Sequence, residues 1–164
     1  MDIKVKKRNG RLESLEVDKI NASAQRACEN IKDVSPSEIV LDAQLQLFDK
    51  ITTAEIDQAL VLSAREKIEK EPNYSYAASK LLLNCLYKEV FKEGVDSDTF
   101  SLQYRKSFVQ NIKKLVSLEV LNSKLLNFDL KMLSESLVLE RDDSFKYLGI
   151  QVLTDRYFIR QDGK

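Results

Sequence analysis

Histidine is absent from this chain, and cysteine occurs only twice, at Cys28 and Cys85. Without an imidazole there can be no Ser-His-Asp triad and no histidine-based proton transfer. With no Cys-x-x-Cys pair there is no framework for a structural zinc site, and no metal ligands are assigned. Each cysteine lies in an apolar stripe of helical period and reads as a small buried hydrophobe. Glycine (four) and proline (two) are also scarce, which leaves few breaks and favours long helices. No apolar run approaches the roughly 18 residues of a membrane span, and the charged N-terminus has no signal-peptide core. A cytoplasmic location is therefore expected, with no membrane partner. The 26 Lys and Arg balance the 26 Asp and Glu, so no global field draws the chain to nucleic acid.

What is present is a hydrophobic share of 43% and an unusually large charged share of 32%, in 164 residues. That length allows one ordinary domain or two small ones. The most informative stretch is the first. Asn9-Gly10 between two alternating segments is a strong hairpin signal. A two-residue turn would scatter the apolar residues over both faces. A three-residue loop, Arg8-Asn9-Gly10, pairs Lys7 with Arg11 and gathers Ile3, Val5 and Lys7 on one face with Glu13, Leu15 and Val17. A one-residue slip turns every side chain over, so the register with one apolar face is expected. It leaves Lys7 and Glu13 at the turn end of that face, with Arg8 in the loop and Lys19 at the start of the next helix. Charges on a half-buried face are costly unless paired or ligated. Either Lys7 and Glu13 neutralise each other, or the cations serve a polyanion.

Further along, Asp18 can cap a helix to about Ile31, with Ile20, Ala24, Ala27 and Ile31 on one stripe. Ser35-Pro36-Ser37-Glu38 is a capping box with proline at the first helical position, opening a helix to about Phe48. Ile51 can add a strand beside the hairpin. Thr52-Thr53-Ala54-Glu55 opens a third helix to about Glu69, and Pro72-Asn73 separates it from a fourth, about Tyr76 to Phe91. The expected fold is mainly α (α+β), a small N-terminal hairpin or three-stranded sheet over a four-helix cluster, because a lone hairpin is not stable. A composition shift at Gly94-Val95-Asp96-Ser97 suggests a boundary, giving domains 1–93 and 94–164. The second should hold helices over about 98–118, 121–128, 130–139 and 145–153. A strand from Tyr157 should follow. Its apolar content suggests a docking surface.

Val5-x-Lys7-Arg8-Asn9-Gly10, Glu13 and Lys19-Ile20, followed by Ile51-Thr52-Thr53-Ala54-Glu55-Ile56, Pro72-Asn73-Tyr74-x-Tyr76-Ala77-Ala78 and Lys88, together resemble the ATP-cone. This regulatory nucleotide-binding domain opens the large subunit of ribonucleotide reductases. Ser144-Phe145-Lys146-Tyr147 and Leu153-Thr154-Asp155-Arg156-Tyr157-Phe158 resemble the segment leading to that subunit's catalytic barrel.

The resemblance implies that Lys7, Arg8 and Lys88 hold a triphosphate. It places Glu13, Glu16 and Lys19 on the adenine and ribose side, with Val5 and Ile20 as an apolar floor. Thr53 matches a contact at a helix start, a role compatible with plain N-capping. Pattern alone puts Lys88 on a stripe with Leu81 and Asn84, and it is the resemblance that aims it at the hairpin. Asn9 stands where the family commonly has Asp, and both suit a turn. Asp57 and Cys85 stand where some members have His. Asp57 could accept from a ribose 3′-hydroxyl, yet its charge opposes nearby phosphate. The implied effector is ATP or dATP, with Mg²⁺ held mainly by phosphates and water.

The implied partners are the remainder of the large subunit, the radical-generating small subunit and, with dATP, further copies of the chain. The catalytic cysteines and radical-relay tyrosines belong to the barrel, and Cys28 and Cys85 match none of them. No catalytic residue and no reductase activity are expected of these residues alone, whether they are a piece of a longer subunit or of a split gene. Two other readings compete. A helical adaptor requires that the cations fail to converge, whereas an ATP-cone transcription regulator lacks the expected zinc ribbon and basic patch.

Overall fold

The computed structural model describes residues 3–91 and 97–160, apart from the side chains of residues 97 and 98. They fall into two compact units, Met1–Leu86 with Asp143–Lys164, and Tyr87–Asp142. The boundary expected between residues 93 and 94 lies outside the described residues.

The hairpin takes the register that its side chains demand. Strands β1 (Lys4–Lys6) and β2 (Leu12–Ser14) pair antiparallel, with Lys4 opposite Ser14, Val5 opposite Glu13 and Lys6 opposite Leu12. The Gly10 N–H donates to the Lys7 carbonyl and the Lys7 N–H to the Arg11 carbonyl, both at 2.8 Å. Gly10 sits at φ +83°, the left-handed position that a Cβ would strain. The loop is therefore Arg8-Asn9-Gly10, and the Asn9 side chain ties it by accepting from the Arg11 N–H at 3.1 Å.

A third strand, β3 (Ile51–Thr52), lies parallel to β1, completing a sheet of order β2-β1-β3. Its entry is set locally. Lys50 adopts φ +65° and donates to the Lys4 carbonyl at 2.7 Å, while Asp49 Oδ1 accepts from the Lys4 N–H. Val5 and Ile51, partners in register, are 4% and 1% exposed and fix the sheet on the helices.

Four helices follow as expected: α1 (Val17–Cys28), α2 (Pro36–Gln44), α3 (Thr53–Glu66) and α4 (Tyr74–Phe91). The core is aliphatic, built on Ile20, Ile39, Val40, Leu60, Val61, Leu81 and Leu82. Buried Ala24, Ala43, Ala64, Ala77 and Ala78 let the helices approach closely. Full burial of each Ile or Leu contributes about 1.5–3 kcal/mol, so this layer carries the stability. Cys28 is buried there as expected, and burial pushes its thiol up to about 11.

Several helix ends differ from expectation. The cap position of α1 is Glu16, whose carbonyl accepts from the Lys19 N–H, and Asp18 lies inside the first turn. The hairpin, closed by the Leu15 N–H on the Ile3 carbonyl, delivers the chain into helix sooner than Asp18. At the other end α1 stops at Cys28 because Asn30 turns left-handed at φ +62°. Helix α2 stops at Gln44, short of Phe48, so that the chain can turn back to β3.

The Ser35 box at α2 is closed by a distant residue. Ser35 Oγ accepts from the Glu38 N–H, as a cap should, but the Ser35 N–H donates to the Tyr74 hydroxyl at 2.9 Å. That hydroxyl donates in turn to Glu38 Oε2 at 3.2 Å. Lys67, paired with Asp42 at 2.7 Å and with Glu38 at 3.6 Å, completes the cluster. Burial is the main cause that raises the Tyr74 pKa.

Helix α7 (Tyr147–Arg156) belongs to the same unit. Its Tyr147 N–H donates to Ser75 Oγ at 3.2 Å, the Arg65 guanidinium lies 5.9 Å from the Tyr147 ring centre, and Ile150 is 2% exposed. Part of the apolar surface expected to await an outside partner is thus used within the chain. Residues 157–160 form a turn and irregular chain where a strand was expected, and the rest of that stretch lies outside the described residues.

The second unit holds α5 (Ser97–Ser117), a 3₁₀ turn over Ser123–Asn127 and α6 (Leu130–Glu135), which Ser136 ends short of the expected Leu139. A 3₁₀ segment, Leu139–Ser144, follows, its last two residues counted with the first unit. Among the described residues no helix is long and apolar enough to cross a membrane.

Because Tyr74 bridges two elements through one buried hydroxyl, Tyr74→Phe is expected to lower unfolding stability by about 1–2 kcal/mol. Urea denaturation followed by circular dichroism reads this as a lower midpoint at unchanged slope.

Candidate functional site

The parallel pairing of β1 with β3 decides what lies at the open end of the sheet. Val5 faces Ile51 and Lys6 faces Thr52. One residue further, Lys7 and Thr53 leave the sheet at the same end, the first into the β-turn and the second as the opening residue of α3. The cap of α3 is Thr52, not Thr53. Thr52 Oγ1 accepts from the Glu55 N–H at 3.2 Å, and Glu55 Oε2 accepts from the Thr52 N–H at 2.8 Å and its hydroxyl at 2.7 Å. Thr53 is therefore relieved of capping. The first turn of a helix also carries unsatisfied N–H groups and a partial positive charge, favourable to an anion.

Of the predicted residues, Val5 and Ile20 are buried, at 4% and 5% exposed, as an apolar floor requires. Lys7 is half-buried, and its Nζ lies 3.3 Å from Glu13 Oε2. Arg8 is exposed in the loop, and Asp57 is half-buried one turn into α3, on the side of Thr53. Glu16 Oε1 accepts from Lys19 Nζ at 2.8 Å. That bond holds the Glu16 carboxyl below its usual value, and the charges of Lys19 and Lys7 add to it. The same bond raises the Lys19 ammonium, with a contribution from Glu13. Lys7 with Glu13 and Lys19 with Glu16 thus form two neighbouring ion pairs of alternating charge. Lys88 is half-buried in the last turn of α4 and is counted with the second unit.

Asp49 and Lys50, which set the β3 register and so bring Thr53 beside the loop, were not singled out from sequence. Their only signal is an Asp-Lys pair ahead of an isolated Ile-Thr. The donors present suit a polyphosphate, for which Arg supplies a planar fork and Lys a compact charge.

A small three-stranded sheet set on a helical cluster is the fold of a cone domain, and the chain belongs to the ATP cone domain family, whose model matches residues 3–89. The likeness extends past the cone, to alpha subunits of ribonucleoside-diphosphate reductase. The chain is 40% identical over 159 residues to that subunit from Helicobacter pylori, covering 96% of this chain and 19% of the relative. The Chlamydia muridarum subunit is 36% identical over 145 residues, 87% of this chain and 14% of the relative. The alpha subunit of reductase 1 from Salmonella typhimurium is 27% identical over 161 residues, 95% and 20% respectively. The chain spans about a fifth or less of the length of these relatives.

The α3 cap has a pH signature. Hydrogen bonds from the Thr52 backbone and then its hydroxyl hold Glu55 below its ordinary value of 4.5. A depressed carboxyl contributes stability above its unfolded pKa and loses it as pH falls through the folded value. Glu55→Gln should therefore flatten the loss of stability in the acid range, below about pH 4.5. Urea midpoints measured down that range for both proteins check this, the wild type showing the steeper fall.

Proposed function

We propose that this chain is the allosteric adenine-nucleotide sensor of a ribonucleoside-diphosphate reductase large subunit, with ATP permitting activity and dATP suppressing it by promoting self-association. Residues 1–93 form the sensing cone and residues 94–164 lead toward the rest of the subunit, in the cytoplasm. The observation that most supports the reading is the departure of Lys7 and Thr53 from one end of the sheet. It sets a cationic loop beside a helix N-terminus.

In this reading Lys7 and Arg8 hold phosphate oxygens, and Lys88 from α4 joins them. Thr53 and the α3 N-terminus add backbone donors, and Asp57 addresses the ribose. Val5 and Ile20 support the base, with Glu13, Glu16 and Lys19 around it. A carboxylate accepts from the exocyclic amine of adenine, whereas the carbonyl of guanine would leave it unpaired, which rejects GTP. Mg²⁺ accompanies the phosphates. A coupling of about 1–3 kcal/mol between nucleotide and assembly suffices for a switch. The partners are the rest of the large subunit, the radical-generating small subunit and, with dATP, other copies of the chain.

A second reading, a helical adaptor without nucleotide binding, is favoured by one observation, the closed Lys7–Glu13 ion pair. Titration of the 164-residue chain with ATP, dATP and GTP in the presence of Mg²⁺, with mass followed by light scattering, separates the two. The sensor binds both adenine nucleotides and not GTP, and gains mass with dATP. Absence of binding leaves the adaptor. Lys7→Ala should weaken ATP binding about 10- to 100-fold, because a charge-assisted contact contributes about 1.5–3 kcal/mol. Unchanged affinity by calorimetry removes Lys7 from the site.

A further inference from the structure

The cation assigned to phosphate is already engaged. Lys7 Nζ lies 3.3 Å from Glu13 Oε2, the two side chains being 29% and 45% exposed. The pair is diagonal across β1 and β2, since Glu13 faces Val5 and the Lys7 N–H bonds the Arg11 carbonyl. A phosphate oxygen arriving at Lys7 therefore meets a carboxylate of its own sign within one side-chain length. It cannot take the ammonium without displacing Glu13 or suffering its repulsion.

We infer that Glu13 is an exchangeable counter-ion that makes phosphate binding at Lys7 conditional on the rest of the ligand. This rests on the nucleotide reading above and adds an order of dependence to it. With no ligand, Glu13 neutralises Lys7. A ligand that offers Glu13 a hydrogen-bond donor while its phosphate takes Lys7 leaves both groups satisfied. A triphosphate whose purine carries an amino group at the 6-position, as adenine does and guanine does not, does this. Inorganic tripolyphosphate brings charge but no donor, so Glu13 is left against it. Base recognition and phosphate recognition are then coupled through one ion pair rather than added.

The exchange is energetically accessible because a half-exposed pair of this kind is weak, and breaking it is a small step. Glu16 cannot substitute for Glu13 without leaving Lys19, to which it is bonded at 2.8 Å. Lys19, whose charge also reaches Glu13, thus keeps its own partner during the exchange.

Binding of sodium tripolyphosphate, ATP and GTP is measured by calorimetry on the wild type, Glu13→Gln, Glu13→Asp and Glu66→Gln. The last makes the same charge change at the exposed end of α3. Glu13→Gln should tighten tripolyphosphate about three- to tenfold and shrink the preference for ATP over GTP by a similar factor. Glu13→Asp keeps the charge and should bind tripolyphosphate as the wild type does. Glu66→Gln should change neither. If the wild type binds ATP but Glu13→Gln leaves tripolyphosphate unchanged, or Glu66→Gln tightens it equally, the exchange is overturned while the nucleotide site stands. If the wild type binds no ATP, the nucleotide reading falls first.

Discussion

Two residues of parallel strand organise this molecule. Ile51 and Thr52 hydrogen-bond beside Val5 and Lys6, and this short ladder does two unrelated tasks. On its inward side it presses Val5 and Ile51 into the helices, where both are almost wholly buried. At its end it releases a β-turn and a helix N-terminus side by side. A strand this short has little stability of its own, so the pairing persists only because both partners are anchored in an aliphatic core. The left-handed Lys50 and the Asp49 side chain on the Lys4 N–H then fix its register against slippage.

Burial and charge are consequently assigned to different layers. The buried layer is nearly all Ala, Val, Ile and Leu, and its contribution comes from area removed from water. The charged rim contributes little to folding, because ion pairs as open to water as Lys7–Glu13 and Lys19–Glu16 are screened by solvent and cost side-chain entropy to hold. Those side chains can change partner without endangering the fold. A site built from them can answer to a ligand, and a site built from core residues could not.

How much of this the sequence displayed follows from the range of the interactions involved. The hairpin register was legible because alternation over a few residues leaves only one pairing with a single apolar face. The boxes at Ser35 and Thr52 were legible because capping is a contact between residues three apart. The start of α1 was misread at Asp18 because the Leu15 bond to Ile3, twelve residues away, delivers the chain early. The end of α2 was misread because return to β3 overrides a continuing apolar pattern through Leu47 and Phe48. Tyr74 closing the Ser35 box is a contact 39 residues apart, and nothing local announces it. Among the site residues, the Lys7–Glu13 pair was foreseen as one of two outcomes. That Thr53 has no capping role of its own follows from the box already read at Thr52, which the side-chain hydrogen bonds bear out.

The second unit is built on different physics, and it should fail differently. Among its described residues only Leu130 and Ser134 are buried, while Phe100, Tyr104, Phe108, Ile112 and Leu115 are half-buried. Its centre is aromatic and polar. Phe100 packs edge-on against Tyr87 and Phe91, at 4.9 and 5.5 Å between ring centres. The hydroxyls of Tyr87 and Tyr104 both donate to Asp142 Oδ2, at 2.7 and 3.2 Å. Burial, reinforced by that carboxylate, pushes the Tyr104 hydroxyl up to about 12, so it stays a donor at any physiological pH. Loss of an aliphatic side chain from the first unit opens a cavity whose cost grows with its volume. Loss of Asp142 would instead strand two partly buried hydroxyls at once, and loss of either tyrosine would leave a carboxylate with half its support. One carboxylate therefore does for the second unit what the Val5–Ile51 pair does for the first, holding together elements that are distant in sequence.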